Sequence, residues 1–161
     1  MINQSLYWKK DLIKISNNLK RKYNQKIWSN RSYSNIEKDL FIGFYMIRKL
    51  MDSNKIINSL NLTKICVKKY PFTGKYNNDF KYKSLYDLYN LYESEDIKLS
   101  LRDLCNQFIH SYFFSMFIPF KKSLLGFFYV QTKKRTSTYI ILDLYMLSNY
   151  FNLLVVITNI G

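Results

Sequence analysis

The chain has 161 residues, with 25 Lys and Arg against 11 Asp and Glu, a formal net charge of +14, two cysteines and one histidine. The length fits a single domain, residues 1–161, and 48% hydrophobic content provides for a core and excludes wholesale disorder. Two cysteines cannot build a disulfide framework and, with one histidine, do not close a structural zinc site. Any histidine-based catalysis must therefore use His110. The four glycines fall in no phosphate-loop or dinucleotide pattern, so no such nucleotide fold is expected. The positive charge points to an anionic partner, nucleic acid or a membrane surface. Alanine is absent while Lys, Asn, Ile, Tyr and Phe abound. These are residues of A/T-rich codons, so the placement of the charges carries more than their total.

Met1 to Lys22 contains no apolar run of signal-peptide type, and a cytoplasmic location is expected. Trp8, Leu12, Ile15, Leu19 and Tyr23 share one helical face, which predicts a helix from Ser5, as N-cap, to Tyr23. Asn24 to Ser32 reads as a connection. Ser34 with Glu37 fits a capping box for a second helix. Its face is Ile36, Leu40, Phe44, Ile47 and Met51, widened by Phe41, Tyr45 and Leu50. It is expected to run to Leu60, loosened at Ser53-Asn54. Thr63, Ile65 and Val67 alternate with Lys64, Cys66 and Lys68, a short strand with one wet face. Pro71 and Gly74 punctuate a loop, Tyr76 to Lys83 shows no period, and Ser84 with Asp87 opens a short helix through Tyr92.

Ser100 with Asp103 resembles a capping box with Asp in the Glu position. The helix it opens buries Leu101, Leu104, Cys105, Phe108 and Tyr112 and is expected to end before Pro119. Leu124 to Gln131 and Ser137 to Leu142 read as a hairpin around Thr132-Lys133-Lys134-Arg135-Thr136. Asp143 caps a last helix through Leu144, Leu147, Phe151 and Leu154. The fold class is thus mainly α with a small β part: a helical bundle, a short strand and a C-terminal β-hairpin.

Residues 1–60 hold 12 basic and 4 acidic side chains, whereas residues 101–120 are neutral overall. The dense runs are Lys20-Arg21-Lys22 and Lys133-Lys134-Arg135, with Lys121-Lys122 between. Such runs contact phosphates without reading bases. Equally, they solubilise a helix end or a hairpin tip, and lysine at a helix C-terminus complements the dipole.

Arg102, Asn106 and His110 recur at i, i+4 and i+8, one helical stripe beside the buried face. Near neutral pH a histidine serves as general base or acid, an amide orients a phosphate or hydroxyl, and a guanidinium neutralises a developing phosphorane. These are the parts of a metal-independent ribonuclease. The stripe is also compatible with a structural histidine and a loop-holding amide.

The segment Leu101 to Tyr112, with Asn106-Gln107-Phe108-Ile109-His110-Ser111-Tyr112 as its downstream half, resembles the signature helix of the HEPN family (higher eukaryotes and prokaryotes nucleotide-binding). Cys105 stands where that family places its arginine, and Arg102 lies a turn further back, about 12 Å from His110 along the axis. The resemblance implies a small helical bundle of the kind found in toxin–antitoxin and antiviral systems. It implies an RNA partner in preference to DNA, catalysis by His110, Asn106 and Arg102 without metal or cofactor, and a homodimer across which two such stripes meet. The other reading open to these residues is a non-catalytic accessory subunit that binds nucleic acid or protein.

Two rivals are weaker. Tyr139 to Ile157 is 19 residues with one charge, Asp143, preceded by basic residues, and so has the length of a membrane span. Asp143, Ser148, Asn149 and Asn152 are costly in lipid and the segment opens with strand-like alternation, so no membrane role is expected. A two-metal nuclease would need clustered carboxylates, and Glu93, Glu95 and Asp96 read as a surface loop.

Overall fold

Apolar residues at three- and four-residue spacing wind the first part of the chain into two helices. The first, α1 (Ser5–Tyr23), buries Leu12, Ile15, Ser16 and Leu19. The second, α2 (Asn30–Asp52), buries Ile36, Leu40, Phe44, Ile47 and Met51, the face its periodicity marks, while Tyr45 is exposed. The computed structural model describes residues 4–56, 63–72, 89–90, 92–111, 113–117, 126–130, 139–143 and 149–152.

The helix ends depart from expectation for local reasons. Gln4, not Ser5, is the N-cap residue of α1, and its side chain makes no capping bond. Ser29, not Ser34, caps α2 by accepting from the Ser32 N–H at 3.2 Å. Trp28, just before that cap, stacks on Tyr33 with ring centroids 5.2 Å apart, a hydrophobic staple that selects Ser29 from the nearby serines. At the other end α2 stops at Asp52 instead of continuing to Leu60. Asn54 takes a left-handed conformation with φ 54°, Asn54 N–H donates to the Met51 carbonyl and Lys55 N–H to the Leu50 carbonyl. That is a Schellman closure with asparagine in the position glycine usually fills. Residues 57–60 lie outside the described residues.

The third helix, α3 (Leu101–Ile109), buries Leu101, Leu104, Cys105 and Phe108. Ser100 caps it by accepting from the Asp103 N–H at 3.1 Å. The Asp103 carboxylate takes the serine hydroxyl at 2.6 Å instead of reaching back to the backbone, because aspartate is a methylene short of glutamate. The helix ends at His110, well before Pro119, and the chain continues as a strand. Phe113–Phe117 is aromatic-rich and gains a ladder partner there, which outweighs its weak helical pattern.

Five strands, β1 (Lys64–Tyr70), β2 (Glu95–Ser100), β3 (Phe113–Phe117), β4 (Gly126–Val130) and β5 (Tyr139–Asp143), form one sheet in the order β2-β1-β5-β4-β3. All its pairings are antiparallel. The expected first strand and C-terminal hairpin are present. The sheet is larger than expected because β2 replaces the acidic loop and β3 the end of the third helix. Helices of 19, 23 and 9 residues against strands of five to seven leave the chain mainly α with a small β part.

Tyr89 forms an antiparallel bridge with Phe72 rather than ending a helix, and 84–88 lie outside the described residues. Asp143 is the last residue of β5. Residues 149–152 are helical, and the rest of the expected last helix, with Leu144, Leu147 and Leu154, is outside the described residues. The membrane-span candidate therefore begins as a strand paired on both sides, and no helix among the described residues is long and apolar enough to cross a membrane.

One core joins these elements. Phe44, fully buried, stacks on Phe108 of α3 at 4.3 Å and meets Phe151 edge-on at 5.6 Å. Phe41 touches Phe108 and Phe114, so β3 joins the same cluster. Ile65 and Val67 of β1 point into it, while Lys64, Cys66 and Lys68 face solvent. Gly43 lets Phe151 approach: a Cβ there would lie 2.5 Å from the ring. Gly43→Ala is therefore expected to lower stability by about 1 kcal/mol, overpacking of 1–3 kcal/mol outweighing roughly 1 kcal/mol of helix propensity. In a Phe151→Ala background the same change should raise stability. Urea denaturation of the four proteins checks it, and destabilisation in both backgrounds would contradict this packing.

Candidate functional site

Three contacts run along the seam between α2 and α3. Phe44 meets Phe108, Arg48 Nε donates to Asn106 Oδ1 at 2.7 Å, and Asp52 Oδ1 accepts from Arg102 at 3.0 Å. Residue numbers rise on α2 as they fall on α3, so the two helices are antiparallel. Arg48 also pairs with Asp52 Oδ1. Two guanidiniums thus share one carboxylate, and one of them also fixes the side-chain amide of Asn106.

The expected stripe is present on α3 but divided. Arg102 is held by Asp52, two turns from His110. Asn106, one turn from His110, is oriented from across the seam by Arg48. His110 is the C-cap residue of α3, is exposed, and its N–H donates to the Asn106 carbonyl at 3.0 Å. Its imidazole makes no hydrogen bond to a described residue. The polar cluster and the imidazole therefore occupy successive turns of one surface.

Arg48 and Asp52 are the residues that sequence reading missed. Arg48 is 58 positions from Asn106 and belongs to another helix, so no local spacing joins them. One signal was available: Arg48 stands four residues after Phe44, at the margin of a face that otherwise buries Ile47, Leu50 and Met51. A basic residue there must turn its head toward whatever packs alongside.

Cys105, in the position where arginine was looked for, is a core residue. Burial pushes its thiol up to about 12, against the opposing pull of Arg48 and Arg102. A thiol so held is not a thiolate near neutrality and is no nucleophile for His110 to activate. Its closeness to both arginines means that guanidinium charge is delivered beside this turn of α3 from neighbouring positions.

The basic runs fare differently. Lys20, Arg21 and Lys22 occupy the last turn of α1, where they complement the helix dipole. Arg21 donates to Asn18 at 3.0 Å, while Lys22 donates to Gln25 at 2.6 Å and sits over the Trp28 ring. Two of the three are thus engaged locally. Lys121, Lys122, Lys133, Lys134 and Arg135 lie outside the described residues. The solvent face of β1 and β2 adds Lys64, Lys68 and Lys98, with Lys68 paired to Asp96 at 3.2 Å. Among the described residues no three His, Cys, Asp or Glu side chains gather closely enough to hold a metal ion.

Comparison with protein-family models, curated proteins and solved structures finds no match, so the functional reading rests on these residues and their geometry.

The two cysteines should differ sharply in reactivity. At pH 8 an alkylating reagent is expected to modify the exposed Cys66 quickly and Cys105 only after unfolding in guanidinium. Because the folded thiol titrates above the ordinary value of 9.0, its stabilising contribution is complete below that pH and is lost as pH rises toward about 12. Cys105→Ala should remove that alkaline dependence. Two rapidly reacting thiols in the folded protein would contradict the burial of Cys105.

Proposed function

We propose that this chain is a HEPN-like protein that engages RNA on the α2–α3 surface and cleaves it without a metal, with His110 as the proton-transfer residue. The observation that carries the reading is the Arg48–Asn106 bond. It supplies, from α2, the guanidinium that the α3 sequence lacks at Cys105, and holds an amide one turn from an exposed imidazole. In that chemistry His110 accepts the proton of a 2′-hydroxyl as its oxygen attacks the adjacent phosphorus. The bond from phosphorus to the 5′-oxygen breaks, and the departing oxygen takes a proton from water. The products are a 2′,3′-cyclic phosphate and a 5′-hydroxyl. Asn106 orients the phosphate and Arg48 offsets charge on its oxygens. The basic runs, Lys20 to Lys22 and Lys133 to Arg135, serve as sequence-independent phosphate contacts. A homodimer across which two such stripes meet is part of this reading, as the HEPN resemblance implies.

One observation favours a non-catalytic accessory role instead. Arg102 is tied to Asp52 and stays two turns from the imidazole, so the three expected catalytic residues do not converge within one chain. His110→Ala separates the two readings. If His110 catalyses, the variant should cleave RNA at least about 100-fold more slowly, the usual worth of a general base, with affinity for RNA unchanged. No cleavage by either protein, with binding intact, would leave the accessory role, and equal cleavage by both would remove His110 from the catalysis.

A further inference from the structure

Asp52 sits in the cluster in a way that the reading above does not use. Both guanidiniums meet the same oxygen of its carboxylate, so two positive charges and one negative leave a net charge of +1. The donors are not exhausted. Each guanidinium carries five N–H groups. Arg48 spends Nε on Asn106 and Nη1 on Asp52, and Arg102 spends Nη1 on Asp52. The Nη2 groups of both, and Nε of Arg102, donate to no described residue. The side chains are 24% and 41% exposed, so solvent and solutes reach these donors.

We infer that Asp52 is a positioning and charge-setting residue that makes this cluster a seat for one singly charged phosphodiester rather than for a doubly charged terminal phosphate. The inference rests on the RNA reading and deepens it by naming the kind of phosphate. A diester monoanion brings the cluster to neutrality, whereas a monoester dianion leaves it negative beside the Asp52 carboxylate. Asp52 also lies between the two guanidiniums, which would otherwise repel each other. Without that carboxylate the cluster is doubly positive and matches a dianion. The seat therefore selects an internal position on a strand over its phosphorylated end.

The test compares two probes: a 2′-O-methyl decaribonucleotide, which cannot be cleaved through its 2′-oxygen, with and without a 5′-phosphate. Fluorescence anisotropy gives the ratio of their affinities at pH 7.5, where a terminal phosphate is mostly dianionic. The preference for the 5′-phosphorylated probe is expected to rise about fivefold in Asp52→Asn, the size of one unit-charge interaction a few ångströms away and screened by solvent. Asp52→Glu keeps the charge and should keep the wild-type ratio. Asp11→Asn, which removes a negative charge from the exposed face of α1, should leave the ratio unchanged and so accounts for the general field. If the wild type binds both probes and the ratio is the same in Asp52→Asn, this inference falls while the RNA reading stands. An equal rise in Asp11→Asn would also overturn it. If the wild type binds neither probe, both fall together.

Discussion

The stack of Phe44 on Phe108 decides where everything else lies. At 4.3 Å between ring centroids, with both residues fully buried, it fixes α3 against α2 in both register and direction. Phe41, Phe114 and Phe151 extend the contact to β3 and to the helical turn at 149–152. Truncating such a phenylalanine costs about 3–5 kcal/mol, whereas an exposed ion pair is worth about 0–1 kcal/mol. The polar rungs of the seam therefore do not hold the helices together. They are placed by the aromatic cluster: Arg48 is one turn beyond Phe44, Asn106 is two residues before Phe108, and antiparallel packing brings the two within 2.7 Å. A residue four positions along one helix thus becomes the partner of a residue read from another.

This explains which parts of the molecule were legible in the sequence. The buried faces of α1, α2 and α3 follow from periodicity, since an apolar stripe at helical spacing has one way to leave water. The β4–β5 hairpin follows from two strand-like runs around a basic turn. The ends of elements were less legible because several local solutions compete. Ser29 wins over Ser34 through the contact of Trp28 with Tyr33, and Asn54 stops α2 by adopting a conformation that few residues other than glycine accept. The strand at Phe113–Phe117 was hidden because its stabilisation comes from β4, which lies further along the chain. Sheet order was not legible at all, since β1 pairs with a strand about 70 residues away through Lys68↔Ile141.

The candidate site was half legible for the same reason. Asn106 and His110 share a helix, so spacing finds them. Arg48 and Asp52 join them through tertiary packing, which no spacing rule contains. Arg102, on the expected stripe, is drawn away from His110 by a carboxylate whose presence the α3 sequence does not announce. The meaning of the overall charge of +14 changes accordingly. Part of it lies on a helix end and a strand face, where Lys22 bonds to Gln25 and Lys68 pairs with Asp96. On α2–α3 a single excess positive charge is set among oriented donors. A charge held in that way discriminates between ligands, whereas a diffuse one chiefly raises the rate of encounter.

Whether Arg48 and Asn106 act as one unit toward RNA is decided by a double-mutant cycle on affinity for a non-cleavable RNA, using Arg48→Met, Asn106→Ala and the pair. Because the guanidinium orients the amide, the double variant is expected to bind no more weakly than the worse single variant, a coupling of about 1 kcal/mol for adjacent groups. Strictly additive losses would contradict the pair acting as one unit, and no loss in either single variant would show that the seam between α2 and α3 is not where RNA is held.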